Sequence, residues 1–341
     1  MTTQFVNTTA NQHYVAQTEQ RLNAINPNAN PENQRIYSFS LVNREAFTIS
    51  LDSENGRSIS QSLSLRDLFS FEVLPDKTRQ NFEEIFSGYE STIQASTLSL
   101  LTKLESGGLP DIKDEVLTIF VAKVINFLRN PFSIKSVLNA IGPLFQFVPT
   151  DPDIQAQFKR VLDGSRPQEA YLCEELGITR EQYRQWLGGL FMMLIRFAPD
   201  QPNMMEGMVK GLFENPSGYP MICVNRYASE DPDKVCLLSD RGFSHPLPDP
   251  HLSYDFNLTS KAFITYIFAP VEQMEPFLKL PPEKRAMLLE TYRKIPKNVP
   301  VHTFLNDFDK LARYNQNAVR QAHRKVFSSS TAVYGVLPTV L

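Results

Sequence analysis

The sequence predicts an α+β fold, and three observations carry the prediction. Between residues 34 and 65, apolar residues alternate with polar ones or gather with aromatic and β-branched types, the habit of strands. From residue 77 to residue 214 the apolar period becomes helical. From residue 219 the strand pattern returns, and one last helical stripe follows it. This order predicts amino- and carboxy-terminal strands forming a mixed sheet packed beside a large helical bundle, closed by a long carboxy-terminal helix. Three regions result: an amino-terminal hairpin region at 1–76, a helical region at 77–214, and carboxy-terminal strands with a closing helix at 215–341. A chain of 341 residues can bury a large core, and the three regions are expected to form one integrated domain.

In chain order, residues 13–25 read as a short helix broken by Asn26-Pro27 and Asn30-Pro31. Residues 34–42 and 47–51 read as two strands of a hairpin, with a strong turn at Asn55-Gly56 and a third strand at 59–65. Phe82, Ile85, Phe86, Tyr89, Ile93 and Leu100 mark a long helix that Gly107-Gly108 and Pro110 end. A second helix runs from about Val116 to Asn130-Pro131, and residues 132–147 read as a third, disturbed by Gly142-Pro143. Asp151-Pro152 opens the next helix, Thr179 with Gln182 has capping-box spacing for one reaching about Phe197, and residues 203–213 form a short one. Strands are expected at 219–224, 235–238, 252–258 and 262–268, short helices at 271–279 and 282–294, and the closing helix at 300–327.

Composition excludes several classes. Hydrophobic residues are 42%, charged residues 21%, and the net charge is −3, so the electrostatic footprint of a dedicated nucleic-acid binder is missing. Cys173, Cys223 and Cys236 are too few for a disulfide framework and too scattered for zinc. No apolar run approaches the ~20 residues that span a bilayer, and no basic-then-apolar leader opens the chain, so the expectation is a cytoplasmic protein without a membrane role. There is no Gly-x-Ser-x-Gly elbow, no His-Glu-x-x-His and no kinase signature. Ser106-Gly107-Gly108 lacks the Gly-Lys-Ser/Thr of a phosphate loop. Leu176-Gly177-Ile178-Thr179 imitates a helix-turn-helix turn, but the next helix carries Trp186, Leu190 and Phe191 where a groove would need polar residues.

The candidate site residues are polar and far apart. His13 can act as a general base near neutral pH, or hydrogen-bond to the backbone and pin the amino terminus. Tyr14 beside it reaches the same centre or fills the core. Arg129 ends an apolar helix, where it either clamps an anion or complements the helix dipole. Ser239-Asp240 follows the apolar run Val235 to Leu238, where a strand end presents a carboxylate or begins a turn. Asn315 lies on the apolar stripe of the last helix and is expected to tie that helix to the sheet. His245 and His251 flank a Pro-rich loop holding Asp249, weak evidence for a metal, and His302 and His323 are expected at the surface. No metal or cofactor is implied.

His13-Tyr14-Val15-Ala16-Gln17 resembles the His-Tyr-Val-Pro-Gln signature of the bacterial domain-of-unknown-function family 4238. Arg129-Asn130-Pro131 is similar to that family's Arg-Thr-Pro segment, Ser239-Asp240 to its Ser-Asp-Asn-Pro segment, and 315–327 to its closing helix. The order spans almost the whole chain, with Ala16, Asn130 and Arg241-Gly242 departing from the pattern. The resemblance implies a ligand-binding set of His13, Tyr14, Arg129, Ser239, Asp240 and Asn315 in a divergent member, and no established chemistry comes with it. Without a complete catalytic motif, the expected function is a partner-binding protein of a bacterial conflict system, such as an immunity or antitoxin-like protein that neutralises a nearby-encoded toxin. The acidic stretches Glu230 to Asp233 and Asp111 to Glu115 could face a basic partner. The alternative is a hydrolase or nuclease with His13 as base, Arg129 as clamp and Asp240 as carboxylate.

Overall fold

The computed structural model describes residues 5–76, 78–106, 111–142, 147–198, 200–247, 251–273, 279–294 and 299–339. It is an α+β protein whose chain divides into two compact units. The first unit comprises Met1–Arg21, Asn30–Asn33 and Arg57–Met205, and the second comprises Leu22–Ala29, Gln34–Gly56 and Glu206–Leu341.

The first unit is mainly helical, and its helices begin and end where local chemistry directs. Pro152–Asp163 starts under Asp151, whose carboxylate accepts the N–H groups of Asp153 and Ile154. Arg180–Leu194 starts in a complete capping box of Thr179 and Gln182, after Gly177 turns the chain with φ 62°. Its apolar face from Tyr183 through Leu194 is buried, and Trp186 donates to the Leu128 carbonyl at 2.8 Å, so it is a core helix and not a groove reader. Among the described residues Glu83–Glu105 and Lys113–Arg129 are the two longest helices. At the amino terminus, Asn11–His13 pairs antiparallel with Ser64–Arg66 and sets His13 opposite Ser64.

The second unit holds two mixed sheets. In one, the strand order is Leu238–Ser239, Lys325–Ser328, Arg35–Asn43, Thr48–Leu51 and Leu337–Thr339, with only the last pair parallel. The hairpin strands of the amino-terminal region therefore pair with strands from the far end of the chain. Gly56, at φ 64°, makes the turn that Asn55-Gly56 predicts, and a Cβ there would sit 3.0 Å from the Ile36 carbonyl oxygen. In the other sheet the order is Leu252–Thr259, Ala262–Pro270, Gly218–Arg226 and Val301–Leu305, the last again parallel. Helix Phe308–Gln321 buries Leu311, Tyr314, Asn315, Ala318 and Val319, the last two in a core with Phe39, Ile49, Leu237 and Val326.

Several sequence expectations change. The closing helix expected at 300–327 is a strand, a helix of 14 residues and another strand. Asp307 caps its start, and after Ala322 the Asp240 carboxylate captures the N–H groups of His323, Arg324 and Lys325, which no longer continue the helix. The strand at 59–65 shrinks to Ser64–Arg66, because Ile59–Gln61 forms a 3₁₀ turn and Leu63 adopts φ 55°. The strand at 235–238 shrinks to Leu238–Ser239, because the Asn315 side chain takes the place of a ladder neighbour beside Val235 and Leu237. The third helix at 132–147 is a 3₁₀ turn followed by Ile134–Ile141, and 143–146 lie outside the described residues. Of the helix expected at 271–279, Val271–Gln273 is a 3₁₀ turn, and 274–278 lie outside the described residues. Glu169–Leu176 is a helix that the apolar pattern does not announce. Among the described residues no helix is long and apolar enough to cross a membrane.

Candidate functional site

His13, Tyr14 and Arg129 belong to the first unit, and Ser239, Asp240 and Asn315 to the second. In the first unit the neighbouring residue, Gln12, also pins the amino terminus. Its amide is fully buried, accepts from the Phe69 N–H at 2.5 Å and donates to the Thr9 carbonyl and to Ser70 Oγ. The His13 ring meets backbone as well, the carbonyls of Ile59 and Ser60. The ring is 8% exposed, and its Nδ1 faces Gln17 Nε2 at 3.4 Å. Burial pulls its pKa down to about 4; Arg129 and Arg21 add to the shift, and the carbonyls of Ile59 and Ser60 oppose it. Tyr14 is a core aromatic, edge-on to Phe132 with ring centroids 5.6 Å apart.

Arg129 is 1% exposed and sits at the end of a charged ladder on helix Lys113–Arg129. Its Nη1 meets Glu90 at 2.5 Å, its Nε and Nη2 donate to Asn126 Oδ1, and its guanidinium lies over the Phe86 ring. Asn126 donates to Glu19, and Lys123 forms an ion pair with the same carboxylate. Lys123, Asn126 and Arg129 recur every three residues, so one face of the helix's largely apolar second half presents three buried polar side chains in a row. Glu83, on the first turn of the neighbouring helix, feels the same field. Burial pushes its carboxyl up to about 7, Glu90 adds to the rise and Arg129 opposes it, and Glu83 Oε1 is buried without a partner.

The ordinary order of protonation is thereby inverted: the imidazole gives up its proton near pH 4, while the carboxyl keeps its own to about pH 7. The charge of Arg129 acts on both groups, lowering the pKa of His13 and opposing the rise of Glu83. Sequence reasoning reached His13 and Arg129 but missed Gln12, Glu19, Glu83, Glu90, Lys123 and Asn126. The legible signal was the three-residue polar spacing at 123, 126 and 129 within an apolar stripe.

In the second unit the polar residues hold backbone. Asp240 is 2% exposed; its Oδ1 accepts from the His323 N–H at 2.6 Å, and its Oδ2 accepts from Arg324 at 2.6 Å and Lys325 at 2.9 Å. Burial raises its pKa against the pull of those three donors. Ser239 pairs with Val326 in the sheet, and its carbonyl accepts from the Gly242 N–H in the following turn. Asn315 is fully buried, accepts from the Leu237 N–H at 2.9 Å and donates to the carbonyls of Val235 and Tyr334. Asn23 and Asn257 exchange two hydrogen bonds and extend this amide framework.

Among the described residues no group of three or more His, Cys, Asp or Glu could hold a metal. His245 Nδ1 lies 2.7 Å from the Ser253 carbonyl, while Asp249 of the expected loop lies outside the described residues. The three cysteines are free, and His302 and His323 are exposed. Fold and sites together define an α+β protein with a buried ionised cluster in one unit and a carboxylate–amide clasp in the other. In comparisons with known proteins, no family model, no curated protein and no solved structure matches the chain.

Proposed function

We propose that the chain is a non-catalytic, cytoplasmic partner-binding protein of a bacterial conflict system, an immunity or antitoxin-like protein that neutralises a toxin by direct contact. The observation that supports it best is the state of Asp240. The carboxylate that a composite His13–Arg129–Asp240 site would require is buried and accepts from three backbone N–H groups, which suits a clasp. The conflict-system setting comes from the resemblance to family 4238, of which the chain would be a divergent member. Glu230, Asp231, Asp111 and Asp114 are exposed and give a basic partner carboxylates to meet. Co-expression with the product of the adjacent gene tests the reading: a stable stoichiometric complex supports it, and two proteins that elute separately at micromolar concentration contradict it.

A second reading is favoured by the inverted protonation in the first unit. In it the chain is a hydrolase or nuclease whose acid, base and clamp are Glu83, His13 and Arg129, with Glu83 in the role first given to Asp240. Hydrolysis abolished by His13→Ala and by Glu83→Gln in folded protein supports it. Activity that persists in both variants removes it.

A further inference from the structure

Strand Arg35–Asn43 outruns its neighbour Lys325–Ser328. The ladder reaches Ser40 opposite Lys325, and one more bond, from the Leu41 N–H to the Arg324 carbonyl, closes its end. Residues 41–45 and 323–324 line a surface groove of about 570 Å³ there. Such a volume is in the range of small-molecule sites. Leu41 and Val42 give the groove an apolar wall, with Val42 59% exposed. Arg44 and Arg324 give it a cationic one beside the imidazole of His323, and Glu45 is the acidic residue in the lining.

The positive charge here is built, and much of the nearby negative charge is already engaged. Arg44 reaches across to the carbonyls of Arg320, Ala322 and His323, so its guanidinium is fixed at the groove. Arg241 donates to the Gln321 carbonyl and lies over the Phe243 ring. The imidazole of His323 records the field: after burial, Arg324, Arg44 and Arg241 all lower its pKa, against Asp240. Asp240 itself faces the backbone N–H groups of 323–325, and Asp52 is tied to Lys325, Ser38 and Ser40. The backbone side of this segment thus holds the chain's own carboxylate, while the side chains of His323 and Arg324 remain exposed.

We infer that this groove is a binding site for a small phosphate-bearing ligand of mononucleotide size, with Arg324, His323 and Arg44 on the phosphate and Leu41 and Val42 against the apolar part. A phosphate suits the site better than a single carboxylate, because its several oxygens can accept from donors on separate residues at once. The site does not depend on the partner-binding reading.

Calorimetric titration of the full chain with AMP, adenosine and inorganic phosphate tests it, with a deoxythymidine decamer and a glutamate hexapeptide as further probes. AMP is expected to bind, phosphate to bind more weakly and adenosine not to bind. Arg324→Glu should weaken AMP by at least about tenfold, the scale of one lost charge-assisted contact, with an unchanged melting temperature. Val42→Ser should weaken AMP and leave inorganic phosphate as it was. No binding of AMP or phosphate, or AMP binding unaffected by Arg324→Glu, overturns the inference. Tighter binding of the decamer than of AMP would make the groove a nucleic-acid surface instead, and binding of the hexapeptide alone would make it a carboxylate site.

Discussion

The two polar clusters are built from similar residue types, yet they solve opposite problems. In the second unit, Asp240 and Asn315 meet backbone groups whose positions are fixed by the fold, and those contacts hold the turn after Ser239 and the run Val235 to Leu237. In the first unit, Glu19 pairs with Lys123 and Glu90 with Arg129, and the same unit holds two buried titratable groups, His13 and Glu83, whose pKa values Arg129 influences. A side chain that saturates backbone is structural. A cluster of charges that shifts its titratable neighbours stores protonation energy, and such places can do chemistry or respond to pH.

Breaking the ionised cluster should have the largest effect. Arg129→Met removes the cation facing Glu90 and the donor pair on Asn126, and it should cost about 3–5 kcal/mol in urea unfolding, the usual scale for an uncompensated buried charge. Breaking the clasp comes next. Asn315→Leu leaves the Leu237 N–H and two carbonyls without partners, and Asp240→Ala leaves three N–H groups so; each should cost about 2–4 kcal/mol. An unchanged melting temperature in Asn315→Leu would place that amide outside the core.

The pH dependence sharpens the contrast further. Glu83 binds its proton more tightly folded than unfolded, so its contribution to stability falls as pH rises from about 4.5 to about 7. His13 binds its proton less tightly folded, so its contribution rises from about pH 4 to the ordinary histidine value of 6.5. Between these limits the two slopes oppose each other and the wild-type profile is flattened. Glu83→Gln should expose a rising limb across that window and His13→Gln a falling one, with an amplitude of at most about 3 kcal/mol, less after solvent screening. Identical profiles for the two variants would contradict the assignment. The smallest effect belongs to Arg324→Glu, an exposed change that should move stability by less than about 0.5 kcal/mol.

Much of this architecture is legible in residues with strong local chemistry. Asp151-Pro152, the Thr179 capping box, Asn55-Gly56 and the alternation in 252–268 each specify their element without help from distant residues. The misread elements are those decided by one side chain from far along the chain. Asp240 cuts short the helix expected through 327, and Asn315 holds 235–237 out of the ladder, and neither effect can be read from periodicity. The site behaves in the same way. His13 and Arg129 stand out as rare or oddly placed residues, but Glu83 looks like an ordinary acidic residue on a first helical turn, and only burial beside Glu90 makes it unusual.

The difference between the two clusters rests most directly on the His13 ring. Its protonation can be followed by NMR through the imidazole carbon shifts, with His13→Gln to assign the signal. A ring that stays neutral down to about pH 4, and moves toward the ordinary histidine value in Arg129→Met protein that remains folded, is the predicted result. A midpoint near 6.5 in the wild-type protein would contradict it, and would make the first-unit cluster as purely structural as the second.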